Sequence, residues 1–183
     1  MKAQPTPLPG VQLVHRPFAR DARGAFARLF CEEELRALLG GRHIVQINTS
    51  HTSEPGSVRG LHFQHAPHGE MKFVRCLRGR VWDVAVDLRR GSPTFLKWHG
   101  EELAAGDGRM MVLPEGVAHG FQVLERDSEL LYLHTAAYAP QAEGGVRCDD
   151  PRLGIAWPLP VLGLSERDRS HALLAADFEG VDA

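Results

Sequence analysis

The groups in this chain that can move protons at neutral pH are scattered along its length. His62 sits in Val58-Arg59-Gly60-Leu61-His62-Phe63-Gln64, Lys72 opens Lys72-Phe73-Val74-Arg75, and Tyr132 follows Leu131. An imidazole has an unperturbed pKa of about 6.5, so it can take or give a proton near neutrality. A phenol keeps its proton there and can donate it. An ammonium can offset a developing oxyanion, which is typically worth about 3–4 kcal/mol of barrier. These types fit acid–base chemistry, but each has an ordinary alternative. His62 alone reads as a packed or surface histidine. Ser165-x-x-Asp168 is a helix capping box, which gives Asp168 a structural task. Tyr132 fits a core strand, Lys72 a solvated strand residue, and Arg23 and Arg59 solvated charges.

Strand periodicity sharpens some of these. Lys72 shares a face with Val74 and Cys76, Tyr132 with Leu130 and His134, and Gln46 with Asn48. A polar interior is therefore possible. A metal centre is harder to build. The nearest donors to His119 in type are His62, His65, His68 and Glu70, and His62 and His65 are three apart, on opposite faces of a strand. His15, His43, His51, His99 and His171 receive no role. Trp82, Trp98 and Trp157 read as core or interface.

The elements that must position these groups are mostly strands. HIVQINTS, KFVRCL, RVWDVAVDL, RMMVLP, GFQVLE and ELLYLHTAAY are β-rich runs separated by turn signals at Arg78–Gly79, Arg90–Gly91–Ser92–Pro93, Gly106–Asp107–Gly108 and Pro114–Glu115–Gly116. Short strands at regular spacing predict an all-β antiparallel sandwich or barrel. The gaps are too short for the crossover helices of a parallel sheet. Two short helices are expected. One spans residues 31–40, with acids at its start and Gly40–Gly41 at its end. The other starts at Ser165 and spans 165–178. No repeat or linker divides the chain, so one domain is expected over 1–183, with an N-terminal extension or strand over 1–17.

With 183 residues the chain can bury roughly two-thirds of its unfolded surface. A net charge of -2 argues against a broad nucleic-acid or membrane footprint, so an anionic ligand must be met by a few local cations. Cys31, Cys76 and Cys148 are far apart and form no CxxC pair, which suggests free thiols in a reducing cytoplasm. The opening MKAQPTPLPG does not read as a signal peptide, and no apolar run approaches the roughly 20 residues of a membrane helix.

The spacing Gly108-x5-Pro114-x-Gly116-x2-His119 resembles the second half of the cupin jelly-roll signature. The wider set adds the residues 58–64 and 72–75 quoted above, Pro-Glu-Gly-Val-Ala-His-Gly-Phe (114–121), Leu131-Tyr132, Tyr138 and Asp149-Asp150-Pro151. Gly154-Ile155-Ala156-Trp157-Pro158 and Leu164-Ser165-Glu166-Arg167-Asp168 complete it. In this order, from about Phe18 onward, the chain resembles the dTDP-4-dehydrorhamnose 3,5-epimerase family. The resemblance implies a cupin-type jelly roll, a homodimer and epimerisation with no cofactor and no metal. The implied substrate is a nucleotide-linked 4-keto-6-deoxy sugar of L-rhamnose-type biosynthesis. By position, His62 falls on the family's base, Asp168 on its supporting carboxylate, Tyr132 on the acid and Lys72 on the cation near the ketone. Arg59 and His119 fall on sugar and phosphate contacts, and Tyr138 and Glu143 on pocket positions. Gln46, Asn48 and Arg23 fall on the nucleotide site. The chemistry fits. Hydrogens beside a ketone can be removed to give an enolate, and inversion needs an acid on the face opposite the base.

Three residues depart from the family's usual pattern. Arg28 stands where a glutamate often contacts the nucleotide. Arg167 replaces a lysine beside Asp168. Glu70 replaces a glutamine near Lys72, where a carboxylate would pair with the ammonium and blunt its pull. The rival readings are a single-centre 3- or 5-epimerase on another nucleotide sugar, a metal-dependent cupin oxygenase, and a non-catalytic sugar-nucleotide binder.

Overall fold

Alternating apolar and polar residues fold into two antiparallel sheets stacked face to face in the computed structural model, which describes residues 1–183. The six-stranded sheet runs in the order β1 (Lys2–Pro5), β2 (Gln12–His15), β10 (Arg109–Leu113), β7 (Lys72–Arg78), β12 (Ser128–His134) and β5 (Gln46–Thr52). The five-stranded sheet runs β13 (Glu143–Gly145), β6 (Val58–Gln64), β11 (Val117–Val123), β8 (Arg80–Asp87) and β9 (Trp98–Ala104). A separate hairpin joins β3 (Ala19–Asp21) to β4 (Gly24–Phe26). The fold is the all-β, cupin-type sandwich expected.

Each strand's two faces enter different cores. Val74 and Cys76 of β7, Leu130 of β12 and Val117, Phe121 and Val123 of β11 meet between the sheets. The opposite faces point outward. Phe73 and Leu133 pack under Leu35 and Leu39 of helix α1 (Glu32–Leu39). Leu61 and Phe63 pack under Leu153, Val146 and the C-terminal chain, with Trp82, Trp98 and Trp157 at the margin. Burying a side chain of this kind contributes about 1.5–3 kcal/mol. His62, between Leu61 and Phe63, is thereby turned the other way, into the space between the sheets.

The N-terminal segment pairs through β1 and β2 onto the edge of β10. Helix α1 ends at Gly40 in the left-handed region, as its sequence predicts. The C-terminal helix is shorter than the 165–178 expected. Helix α2 spans Glu166–Ser170, with Ser165 as its cap. Beyond it the chain takes tertiary bonds instead: the Leu174 N–H donates to Asp150 Oδ2 at 2.6 Å, and Arg90 N–H donates to the Val181 carbonyl at 2.9 Å. These partners outweigh a weak local helical preference. Strands β6 and β9 lie outside the strand runs read from the sequence. The first is a motif whose alternation is interrupted by Gly60. A Cβ at Gly60 would come 2.6 Å from the Gly120 Cα, so glycine lets β6 and β11 approach closely where the ladder shifts register.

Candidate active site

At one end of the space between the sheets the inward-facing side chains turn polar. They line a cavity of about 520 Å3, within the roughly 300–1,000 Å3 typical of small-molecule sites. His62 and Arg59 enter from β6 and His119 from β11, all in the five-stranded sheet. Lys72, Tyr132, Gln46 and Asn48 enter from β7, β12 and β5, all in the facing sheet. Tyr138, Glu143 and Asp168 complete the wall.

Helix α2 delivers Asp168. The Ser165 hydroxyl accepts the Asp168 N–H at 3.0 Å, so the residue is part of the cap box while its carboxylate points elsewhere. That carboxylate meets His62: Nε2 to Oδ1 is 2.7 Å, and the Gly60 N–H donates to Oδ2 at 3.4 Å. The Asp168 side chain is 3% exposed and that of His62 is 22% exposed. Burial alone would raise the Asp168 carboxyl. The hydrogen bond and charge of His62 more than offset it and hold the group down at about 2. Nδ1 of His62 makes no hydrogen bond. Arg167 adds a competing contact, with Nη2 3.0 Å from His62 Nε2 and Nη1 2.9 Å from Glu143. A neutral ring nitrogen either donates or accepts. Nε2 therefore cannot donate to Asp168 and accept from Arg167 at once.

Across the cavity, Tyr132 shares a hydrogen bond of 2.8 Å with Ser50. Burial pushes its phenol well above the ordinary value, so it stays protonated. Lys72 Nζ donates to the His62 carbonyl at 3.1 Å and pairs with Glu70 at 3.1 Å. Glu70 also meets His134 Nδ1 at 2.8 Å. Burial opposes ionisation of Glu70, but His134 and Lys72 more than compensate and lower its pKa. The Glu70 departure thus does what its charge suggests: it neutralises part of the Lys72 field. The ammonium keeps a third N–H for another partner.

His119 is held from beneath by Asp83, Nε2 to Oδ2 2.8 Å. Arg59 donates to Thr52 Oγ1 at 2.8 Å and to the His51 carbonyl at 3.1 Å. Tyr138 caps the opening: its N–H donates to Gln46 Oε1 at 3.0 Å and its hydroxyl to Glu143 Oε2 at 3.1 Å. Asn48 lies 3.4 Å from His134 Nε2.

One expected residue does not join. Arg23 lies on the exposed β3–β4 hairpin, where its guanidinium pairs with Asp21 at 2.7 Å instead of lining the cavity. Arg28 pairs with Glu34 at 2.6 Å and also lies outside. His65 stacks edge-on against Phe63, and neither His65 nor His68 lines the cavity, so the His62/His65/His68/His119 metal set is not assembled. Asp83 and Ser50 escaped the sequence reading. Asp83 looks like one acid in an apolar strand, yet it shares strand parity with Val81 and Ala85, which face inward.

The chain matches the family model described as dTDP-4-dehydrorhamnose 3,5-epimerase over residues 5–176. It is 42% identical over 165 residues to the dTDP-4-dehydrorhamnose 3,5-epimerase of Sinorhizobium fredii, covering 90% of this chain and 85% of that protein. It is 39% identical over 176 residues to the dTDP-4-dehydrorhamnose 3-epimerase of Streptomyces niveus, covering 96% and 84%. A solved dTDP-6-deoxy-D-glucose-3,5-epimerase from Legionella pneumophila, in complex with dTDP-4-keto-L-rhamnose, matches with a TM-score of 0.90. That match is 35% identical and covers 100% of this chain and 98% of the other. On sequence, fold and the order of its motifs, this chain belongs to the dTDP-4-dehydrorhamnose 3,5-epimerase family.

Proposed function

We propose that this chain inverts carbons 3 and 5 of dTDP-4-dehydro-6-deoxyglucose in L-rhamnose-type deoxysugar biosynthesis. One observation carries the reading: a single cavity has His62 backed by Asp168 on one sheet and protonated Tyr132 on the facing sheet. With Nε2–H donated to Asp168, His62 presents Nδ1 as the base. It removes the proton from the carbon beside the ketone, and the C–H electrons move to the carbonyl oxygen as an enolate. Asp168 stabilises the imidazolium that forms, and the free N–H of Lys72 stabilises the oxygen. Tyr132 then gives its proton to the opposite face of the same carbon. Water restores both groups.

The diphosphate supplies binding energy remote from the reacting carbons. Arg59 and His119 are placed to meet it. Arg167, half-exposed, is drawn to the same charge, which frees His62 Nε2 for Asp168. Gln46, Asn48, Tyr138 and Glu143 hold the remaining sugar and nucleotide.

A homodimer belongs to the proposal. Strand β5 ends its sheet with Ile47 61% exposed, and the β3–β4 hairpin carries Phe26 at 71%. A second copy would cover both and give Arg23 a nucleotide to reach; light scattering tests this. Three free cysteines support a cytoplasmic setting, and no helix is long and apolar enough to cross a membrane.

The test is incubation with dTDP-4-dehydro-6-deoxyglucose in heavy water. Two carbon-bound deuterium atoms are expected. One would indicate a single-centre enzyme, such as the 3-epimerase to which the chain is 39% identical. None would refute the proposal.

A further inference from the structure

His171 takes no part in the chemistry above, yet it stands beside the base. It caps the end of α2 three residues after Asp168, so the two side chains share a face. Its ring lies against Gly145, where a Cβ would come 2.2 Å from His171 Nε2. Gly145 is the cross-strand partner of His62 in the β6–β13 ladder. Glycine there makes room for an imidazole over the catalytic strand. The His62 and His171 rings stand edge to face with centroids 6.4 Å apart. Nε2 of His171 is buried with no hydrogen-bond partner. Ligand atoms of His62, Asp168 and His171 all lie within 4.8 Å of one another.

We propose that His62, Asp168 and His171 bind a divalent transition cation of the zinc type, and that its binding silences the base. Two imidazoles and a carboxylate are a donor set such cations favour, at about 2.0–2.2 Å per bond, so tetrahedral ligands stand roughly 3.3 Å apart. His62 Nε2 and Asp168 Oδ1 are already 2.7 Å apart. His171 supplies most of the remaining movement, at a helix end where its ring has no hydrogen bond to lose. Coordination at His62 Nε2 shifts that nitrogen's proton to Nδ1 of the neutral ring, and a protonated imidazole must first lose a proton, so binding weakens as pH falls. The Arg167 guanidinium lies 3.0 Å from His62 Nε2 and 3.4 Å from Asp168 Oδ1, so it must swing off both as the cation binds; it is half-exposed and keeps Glu143 as its other partner. With the cation on Nε2 and the proton on Nδ1, the His62 ring has no lone pair left for carbon acid chemistry. The binding claim stands by itself; the silencing claim rests on the proposed function.

The experiment titrates EDTA-treated protein with zinc against a chromophoric zinc indicator, with deuterium incorporation followed in parallel. One equivalent of zinc should bind, exchange should fall with occupancy, and EDTA should restore it. His171→Ala and His171→Gln should keep the melting temperature and the zinc-free exchange rate. Both should weaken zinc binding at least about 10-fold, the lower bound for losing even an outer-sphere partner, and relieve the inhibition. Absence of stoichiometric binding, or unchanged affinity in both variants, would overturn the site. Exchange that persists at full occupancy would overturn the silencing. Zinc-free protein that exchanges nothing would count against the proposed function, while the indicator still decides the site.

Discussion

Two cavity histidines pair with carboxylates at almost equal length, His62 with Asp168 at 2.7 Å and His119 with the buried Asp83 beneath it at 2.8 Å. They differ in what surrounds them. His62 is 22% exposed and receives its carboxylate from a short helix capped by Ser165. His119 is 6% exposed, and its carboxylate comes from the neighbouring strand β8 with no exposure at all. Both rings pair through Nε2 and leave Nδ1 unbonded, but the first is the more accessible, which suits a base. The second is locked into the sheet, which suits a fixed contact, one that donates to a ligand when the ring is protonated. A histidine–carboxylate bond by itself therefore says little about catalysis; access to the reacting atom decides.

The largest expected effect tests this directly. His62→Asn should lower deuterium exchange by about 10²–10⁴-fold, the usual range for a positioned acid–base group, with nucleotide-sugar binding retained in calorimetry. His119→Asn should act mainly on KM, raising it about tenfold or more, as expected for a lost hydrogen bond to a charged group. If His119→Asn instead abolished turnover at unchanged KM, the two roles would have to be exchanged. Asp168→Asn should come next, costing turnover about 10²-fold while the helix cap survives, because the cap uses the backbone N–H of residue 168.

Asp83→Asn should chiefly affect stability. It leaves His119 with a weaker partner in a buried place, costing about 1–3 kcal/mol in urea unfolding, with turnover little changed. The smallest effect is acid dependence. The folded Asp168 carboxyl lies at about 2 against an ordinary 3.8, so its ionised form contributes stability that is present above about pH 4 and lost as pH falls toward 2. Asp168→Asn should flatten that part of the stability–pH curve. Asp87, also held at about 2, should keep its own share.

Several residues were legible because strand parity is local. Lys72 and Tyr132 alternate with core positions, Gln46 and Asn48 share one face of an edge strand, and all four line the cavity. The cap box at Ser165 was equally readable, since it spans three residues. Arg23, expected at the nucleotide site, lies outside the cavity of its own chain, because hairpin β3–β4 projects where no short-range pattern reports. Helix α2 stopped early because Asp150 and Val181 supply distant hydrogen bonds that a propensity window does not contain.

By itself the amino-acid sequence determined most of the strands, the turns between them, several of the side chains that face inward, and the family's ordered motifs. These depend on neighbours two to four residues apart. Only the tertiary structure decided that Asp83 underlies His119 and that His171 stands over Gly145, and only it gave the geometry of the expected pairs, Asp168 on His62 and Glu70 on Lys72. Those pairings join residues 2 to 106 positions apart. The longer ones exist only once two sheets and a returning C-terminal chain close on the same space.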